Sequence, residues 1–322
     1  MLLIVCSILI AGCSVANRSP VPLAEYAEFA GSERNNLPES YIDFLRKTRF
    51  THGELDHLPP FAVILYGNPE KYLARLGVTA DQYSRIELGT TDPNALYVVR
   101  PPGHAPFLLN WGLPGGGGVA TQAAELIALG STHIVHIGTS GLIGPEGDDR
   151  HVVIASAAYK DGAAVMLSDG PPIERLARAD AVLNALFARL LERDDVPSLT
   201  MTGYTIPIYY FQPSGLIDAL LRGPEFADSR PQYIEMEEAS FFETARRMHV
   251  AAASLTAGAD RYTIENGVLK HDFLDDGNVT ATLTSALRAT MDVFDELHRA
   301  GGATRQSTGV REVLPTKTYQ RR

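Results

Sequence analysis

Cysteine is almost missing from this chain, with two among 322 residues, at positions 6 and 13. A disulfide-stapled fold and a thiolate metal centre both need several cysteines at defined spacings, so neither is expected. The nine histidines show no ligand-like spacing, and the expected metal complement is none. Positive charge is also scarce: 28 Lys and Arg against 38 Asp and Glu leave a net charge of -10. A nucleic-acid surface requires clustered cations to neutralise phosphates, so no nucleic-acid partner is expected and a small molecule is the default ligand. No apolar run approaches the roughly 20 residues of a membrane-spanning helix, and there is no internal repeat or low-complexity segment.

The first apolar stretch, residues 1–13, ends in Leu9-Ile10-Ala11-Gly12-Cys13. Residues 1–20 therefore read as a signal-like segment with a lipobox-like end, in which the Cys13 thiol would take a diacylglycerol and anchor the protein at the cell envelope. The basic n-region of a secretory signal is missing, which keeps a cytoplasmic location as the alternative. Residues 21–60 are polar and punctuated by proline, an N-terminal extension with one short helix expected over 39–47. Residues 301–322 are polar and carry scattered arginines, as a disordered tail does.

Between these lies a domain over residues 61–300. Residues 61–66 are a continuous apolar run followed by Gly67-Asn68-Pro69, the pattern of a buried strand ending in a turn, after which Pro69 can open a helix. Further strands are expected at 96–100, 107–111, 133–137, 152–157, 198–202, 232–236 and 250–255, with helices between several of them. Val119, Ala123, Leu126 and Ile127 share one helix face, as do Leu283, Leu287, Met291 and Phe294. Strands alternating with helices predict an α/β fold: a single three-layer domain with a mixed, largely parallel sheet flanked by helices.

Three segments carry chemistry. The run Gly115 to Gly118 opens a helix, where backbone N–H groups and the helix dipole favour an anion. Gly138-Thr139-Ser140-Gly141 follows the strand ending at Ile137 and reads as a turn. Glu235-Met236-Glu237 sets carboxylates where a short strand passes into a helix, and a carboxylate can accept from two vicinal hydroxyls.

Taken in order with Gly67-Asn68-Pro69-Glu70-Lys71, these elements resemble the nucleoside phosphorylase family: purine nucleoside and uridine phosphorylases with their nucleosidase relatives. The resemblance implies a phosphate site from Gly67, Lys71, His136 and Thr139, with Arg85 reaching a neighbouring subunit's phosphate. It implies a ribose site from Glu235, Met236, Glu237 and Thr139, and a base site touching Ser140, Gly141 and Gln212. It implies catalysis at the leaving base by Asp260, where purine-specific members hold a proton donor, or by Arg261, near the arginine of uridine enzymes. The base class stays open. Asn68, Lys71 and His136 stand where the family pattern has aspartate and two arginines, and lysine or histidine binds phosphate less well than a guanidinium fork. The implied reaction is phosphorolysis of a purine or pyrimidine nucleoside by a homo-oligomer, with phosphate as co-substrate and no cofactor. A nucleosidase and a non-catalytic nucleoside-binding protein are the alternatives.

Overall fold

The computed structural model describes residues 36–88, 95–170, 174–210 and 212–305. The signal-like segment with Cys13, the start of the expected extension, and the chain beyond Arg305 lie outside the described residues. In chain order the helices are α1 (Pro38–Thr48), α2 (Pro69–Arg75), α3 (Gly116–Ala128), α4 (Gly162–Leu167), α5 (Ala181–Arg193), α6 (Ser214–Arg222), α7 (Glu238–Arg247) and α8 (Asp276–Arg305). The strands are β1 (Phe61–Leu65), β2 (Tyr83–Glu87), β3 (Ala95–Val99), β4 (Phe107–Trp111), β5 (His133–Ile143), β6 (Val152–Tyr159), β7 (Leu176–Arg178), β8 (Ser198–Thr205), β9 (Tyr233–Glu235), β10 (Ala251–Glu265) and β11 (Val268–Phe273).

All strands join one mixed sheet in the order β11-β10-β6-β8-β9-β5-β1-β4-β3-β2, with β7 on β6. Because β10 also pairs with β5, the strands β5, β10, β6, β8 and β9 close into a ring from which β1, β4, β3 and β2 fan outward. Strand β5 is the hub. Its first half runs parallel between β1 and β10, while at Gly141 and Leu142 its neighbour on the β1 side has become β9. The exchange explains why residues 138–141 are not the turn expected from their glycines: they continue the strand, with Gly138, Thr139, Ser140 and Gly141 each registered against β10.

Side chains alternate across β1 and β5 and so feed two cores. Val63, Leu65, Val135 and Ile137 face α5 and α8, through Phe187, Leu190, Leu283, Leu287 and Phe294. Ala62, Ile64 and Ile134 face α1, α3 and α7, through Ile42, Leu45, Val119, Ala123, Leu126, Phe241 and Phe242. The expected helix faces of α3 and α8 are thus the buried ones. Helix α1 buries Ile42 and Leu45, so this part of the extension is packed against the domain. Helix α8 continues to Arg305, past the boundary expected at residue 300.

Strands β2, β7 and β11 are additions to the expected set. The last forms a hairpin with β10 through Asn266 (φ 51°) and Gly267 (φ 80°), the pair of positive φ angles that matches the twist of flanking antiparallel strands.

Candidate active site

A cavity of about 270 Å³ opens beyond the carboxyl ends of β1 and β4, where β5 exchanges neighbours. Such a switch in strand order leaves a crevice that helices do not cover. Thr139, Ser140 and Gly141 from β5, Glu235, Met236 and Glu237 from the β9–α7 junction, Gln212, and Asp260 from β10 all line it. These are eight of the residues expected at the site, drawn from positions more than 120 apart in the chain.

The acidic junction divides its labour. Glu235 Oε1 accepts from the Thr205 hydroxyl at 2.5 Å, and Oε2 accepts from the backbone N–H groups of Glu237 and Glu238 at 2.5 and 2.6 Å. Its carboxylate therefore caps α7, which corrects the ribose contact expected of it. Burial, then the charges of Glu238 and Glu237, raise its carboxyl well above the ordinary range. Glu237 instead presents its side chain to the cavity. Its Oε1 accepts from Gly115 N at 2.6 Å and its Oε2 from Met236 N at 3.3 Å, leaving acceptor positions on both oxygens. Burial raises the Glu237 carboxyl to about 7, against the opposing pull of those two N–H groups.

The glycine run therefore cradles protein carboxylates. Gly115, at φ 85°, turns its N–H to Glu237, and a Cβ at Gly116 would collide with the Asp161 carboxylate and the Ser240 hydroxyl. The positive end of α3 is thereby stabilised within the chain.

His136 is corrected from phosphate ligand to core residue. It is 1 % exposed, on the face of β5 that packs beneath Tyr66 and Phe241 at ring distances of 5.0 and 5.7 Å. Ser254 donates its hydroxyl proton to Glu238 Oε1 at 2.7 Å, so the Nδ1–H of His136 is the donor to Ser254 Oγ at 2.8 Å. Burial lowers the imidazole to about 3, which keeps it neutral. Tyr233 completes this buried chain by donating to Glu238 Oε2 at 2.5 Å.

Of the other expected phosphate ligands, Thr139 lines the cavity, while Gly67, Lys71 and Arg85 lie outside its lining. Asn68 Oδ1 accepts from the N–H groups of Glu70 and Lys71, and Gly67 N donates to Leu65 O, so these three donors of the loop after β1 are engaged within the loop. Lys71 is exposed on α2. Arg85 lies on the edge strand β2 within 3.7 Å of Glu87. Among the described residues no Lys or Arg lines the cavity.

A bulge in β10 separates the two residues expected at the leaving base. The β10–β5 register shifts between Gly258 and Asp260, turning Asp260 into the cavity and Arg261 away from it. Arg261 binds the carbonyls of Gly144 and Gly147 in the β5–β6 loop and is a structural clamp, which corrects its expected role at the leaving base. Asp260 Oδ2 lies 2.6 Å from His271 Nε2, and the His271 ring stacks on Tyr262 at 4.4 Å. Gln212 donates to the Tyr209 carbonyl at 2.8 Å, while its buried Oε1 has no hydrogen-bond partner among the described residues.

Tyr66, Tyr209, Tyr262 and His271 were not anticipated as site residues. Tyr66 and Tyr262 border the cavity, and burial raises both phenols, with added effect from Glu237 and Glu235 at Tyr66 and from Asp260 at Tyr262. The Asn266-Gly267 pair between alternating residues was the available signal for the hairpin that carries His271.

The model of the phosphorylase superfamily matches residues 62–297. The chain belongs to that superfamily. No curated protein matches it significantly in sequence. Among solved structures, this superfamily member resembles the purine nucleoside phosphorylase of Toxoplasma gondii in complex with immucillin-H, at TM-score 0.60 and 16 % identity over 76 % of this chain and 94 % of that one. It also resembles the Campylobacter jejuni 5'-methylthioadenosine/S-adenosyl homocysteine nucleosidase, at TM-score 0.58 and 17 % identity over 74 % and 99 %. The AMP nucleosidase of Bacteroides thetaiotaomicron aligns at TM-score 0.58 and 15 % identity over 83 % and 100 %. These likenesses establish the fold, and the superfamily spans phosphorolytic and hydrolytic relatives.

Proposed function

We propose that this protein cleaves the N-glycosidic bond of a purine nucleoside with water as the attacking group. The observation that carries the reading is a cavity lined by Glu237, Met236 and Asp260, with no Lys or Arg among the described lining residues. Glu237 can accept from two vicinal sugar hydroxyls while Met236 supplies an apolar floor. Asp260 can give a proton to the departing base, neutralising the charge that develops as the bond to the sugar lengthens. An arginine at that position would favour a pyrimidine carbonyl, and Arg261 is turned away, so the purine reading is preferred. The unpaired Gln212 Oε1 is an acceptor for a base N–H.

Phosphate is the less favourable nucleophile. An anion about 5 Å from a carboxylate at an effective dielectric of 20 is repelled by on the order of 3 kcal/mol, and no cation among the described lining residues offsets it. The test is release of free base from inosine, adenosine and uridine by the purified protein, with and without phosphate, followed by chromatography. Release of purine base that is independent of phosphate is the expected result. Strict phosphate dependence would return the assignment to phosphorolysis, with Arg85 of a neighbouring copy as the first cation to examine. Binding without release would make the protein a nucleoside binder. The lipobox-like end at Cys13 supports an envelope-anchored enzyme, for which loss of detergent-phase partitioning in Cys13→Ala is the check.

A further inference from the structure

His271 stands directly opposite Tyr262 in the β10–β11 register, on the same face as Asp260 two residues earlier. Its Nε2 lies 2.6 Å from Asp260 Oδ2, and its ring is stacked on Tyr262 with the planes 8° apart. The two partners differ in access: the Asp260 side chain is 5 % exposed and that of His271 is 35 %. The other carboxylate oxygen, Oδ1, passes over Gly141, 2.7 Å from where a Cβ would stand on that cavity-lining residue. Asp260 thus has one oxygen over the cavity floor and one on an imidazole that reaches solvent.

We propose that His271 is a positioning residue that hands protons from solvent to Asp260, so that the acid is recharged without opening the cavity. The inference rests on the nucleoside-cleaving reading. In one turnover the bond from C1′ to the base nitrogen breaks and a bond from C1′ to the water oxygen forms. Asp260 gives its proton to the purine ring, the imidazolium form of His271 gives its Nε2–H to the Asp260 carboxylate, and the neutral ring left behind takes a proton from bulk water back onto Nε2. The attacking water's second proton leaves to solvent, so the cycle consumes one water and no net proton. The titratable groups facing His271 are Asp260 and Tyr262 of β10, with Tyr209 close to both. Lys270 and Asp272, its neighbours on β11, point to the other face, where Lys270 pairs with Glu265.

Two variants test this. His271→Phe keeps a ring on Tyr262 without a transferable proton, and His271→Gln keeps a hydrogen-bond donor that cannot relay. Each is compared with the wild type on inosine and on 4-nitrophenyl β-ribofuranoside, whose leaving group departs as a stable anion. The expected result is a loss of about 100-fold in kcat on inosine, a KM held within about twofold, and about twofold or less change on the nitrophenyl riboside. Equal losses on the two substrates would show a structural role and overturn the relay, as would unchanged inosine cleavage. A wild type that cleaves neither substrate would sink the cleavage reading itself, and the relay with it. A wild type active on inosine alone leaves the decision to the kcat and KM split in His271→Phe, where a change confined to KM overturns the relay.

Discussion

Replacing Gly141 by alanine should disable the proposed acid without touching its carboxyl. The new Cβ would lie 2.7 Å from Asp260 Oδ1, 2.9 Å from Tyr262 Cε2 and 3.2 Å from Ile234 Cγ1, where ordinary contact begins at 3.4 Å. Asp260 would have to retreat by about 0.7 Å to relieve the overlap. Neither neighbour is loose: Asp260 is tied to His271 at 2.6 Å, and Tyr262 is backed by the same imidazole. The backbone at 141 cannot give way, because it is registered against both Ile234 and Asp260. Overpacking of this kind costs about 1–3 kcal/mol. For a domain of this size that is a fall in Tm of roughly 3–10 °C. A displacement approaching 1 Å at a reacting group costs about 100-fold in rate, so kcat/KM for a purine nucleoside should fall by about 30- to 100-fold. Base release and a thermal melt read the two effects. Activity within about threefold of wild type, in a protein that melts lower as expected, would mean that Asp260 is not the acid. Gly117→Ala is the control, since no atom lies within 4 Å of its Cβ site and its φ is not positive. As the second residue of α3 it should leave both stability and activity close to wild type.

The buried carboxyl of Glu238 should make the fold weaker as pH rises. Burial, then the Glu237 charge, outweigh its hydrogen bonds and raise it from an ordinary 4.5 to about 7. The unfolded chain therefore releases this proton first, so the stabilisation is fully present below pH 4.5 and is lost as pH rises through 7, about 3 kcal/mol for this group. Urea midpoints measured from pH 5 to 8 should fall for the wild type and stay flatter for Glu238→Gln; parallel curves would refute the assignment. Glu235→Ala should lower stability by about 3 kcal/mol in the same assay, because it strands two N–H groups at the start of α7 and the Thr205 hydroxyl. Lys160 and Glu243 form a buried ion pair at 2.9 Å, and Lys160→Met should cost about 3 kcal/mol by leaving that carboxylate short of a partner.

Much of the fold was legible because its signals are local. Five apolar residues at β1 followed closely by Gly67-Asn68-Pro69 read as a strand buried on both faces, and the spacing of Leu283, Leu287, Met291 and Phe294 marks the buried side of α8. Glu237 and Met236 were readable because Glu235-Met236-Glu237 resembles the ribose-binding segment of the nucleoside phosphorylase family, and both line the cavity. The neighbouring Glu235 was misread for the same reason: sequence does not say which of two adjacent acids turns back to cap the helix.

What the sequence by itself determined, then, is the central strands and helices and the segments that carry chemistry, but not β2, β7 or β11, since periodicity, glycines and helix caps act within a few residues. Tertiary structure decided which members of those segments reach the cavity. His136 is buried because β1 and β10 both flank it and α7 covers its face, three elements far apart in the chain. Asp260 rather than Arg261 enters the site because one residue is accommodated in a bulge against β5, and a shift of one residue in a strand reverses which side chain faces inward. His271 reaches Asp260 only because a two-residue turn folds β11 back onto β10. Each of these depends on the pairing partner and its register, which long-range packing selects and no local pattern encodes.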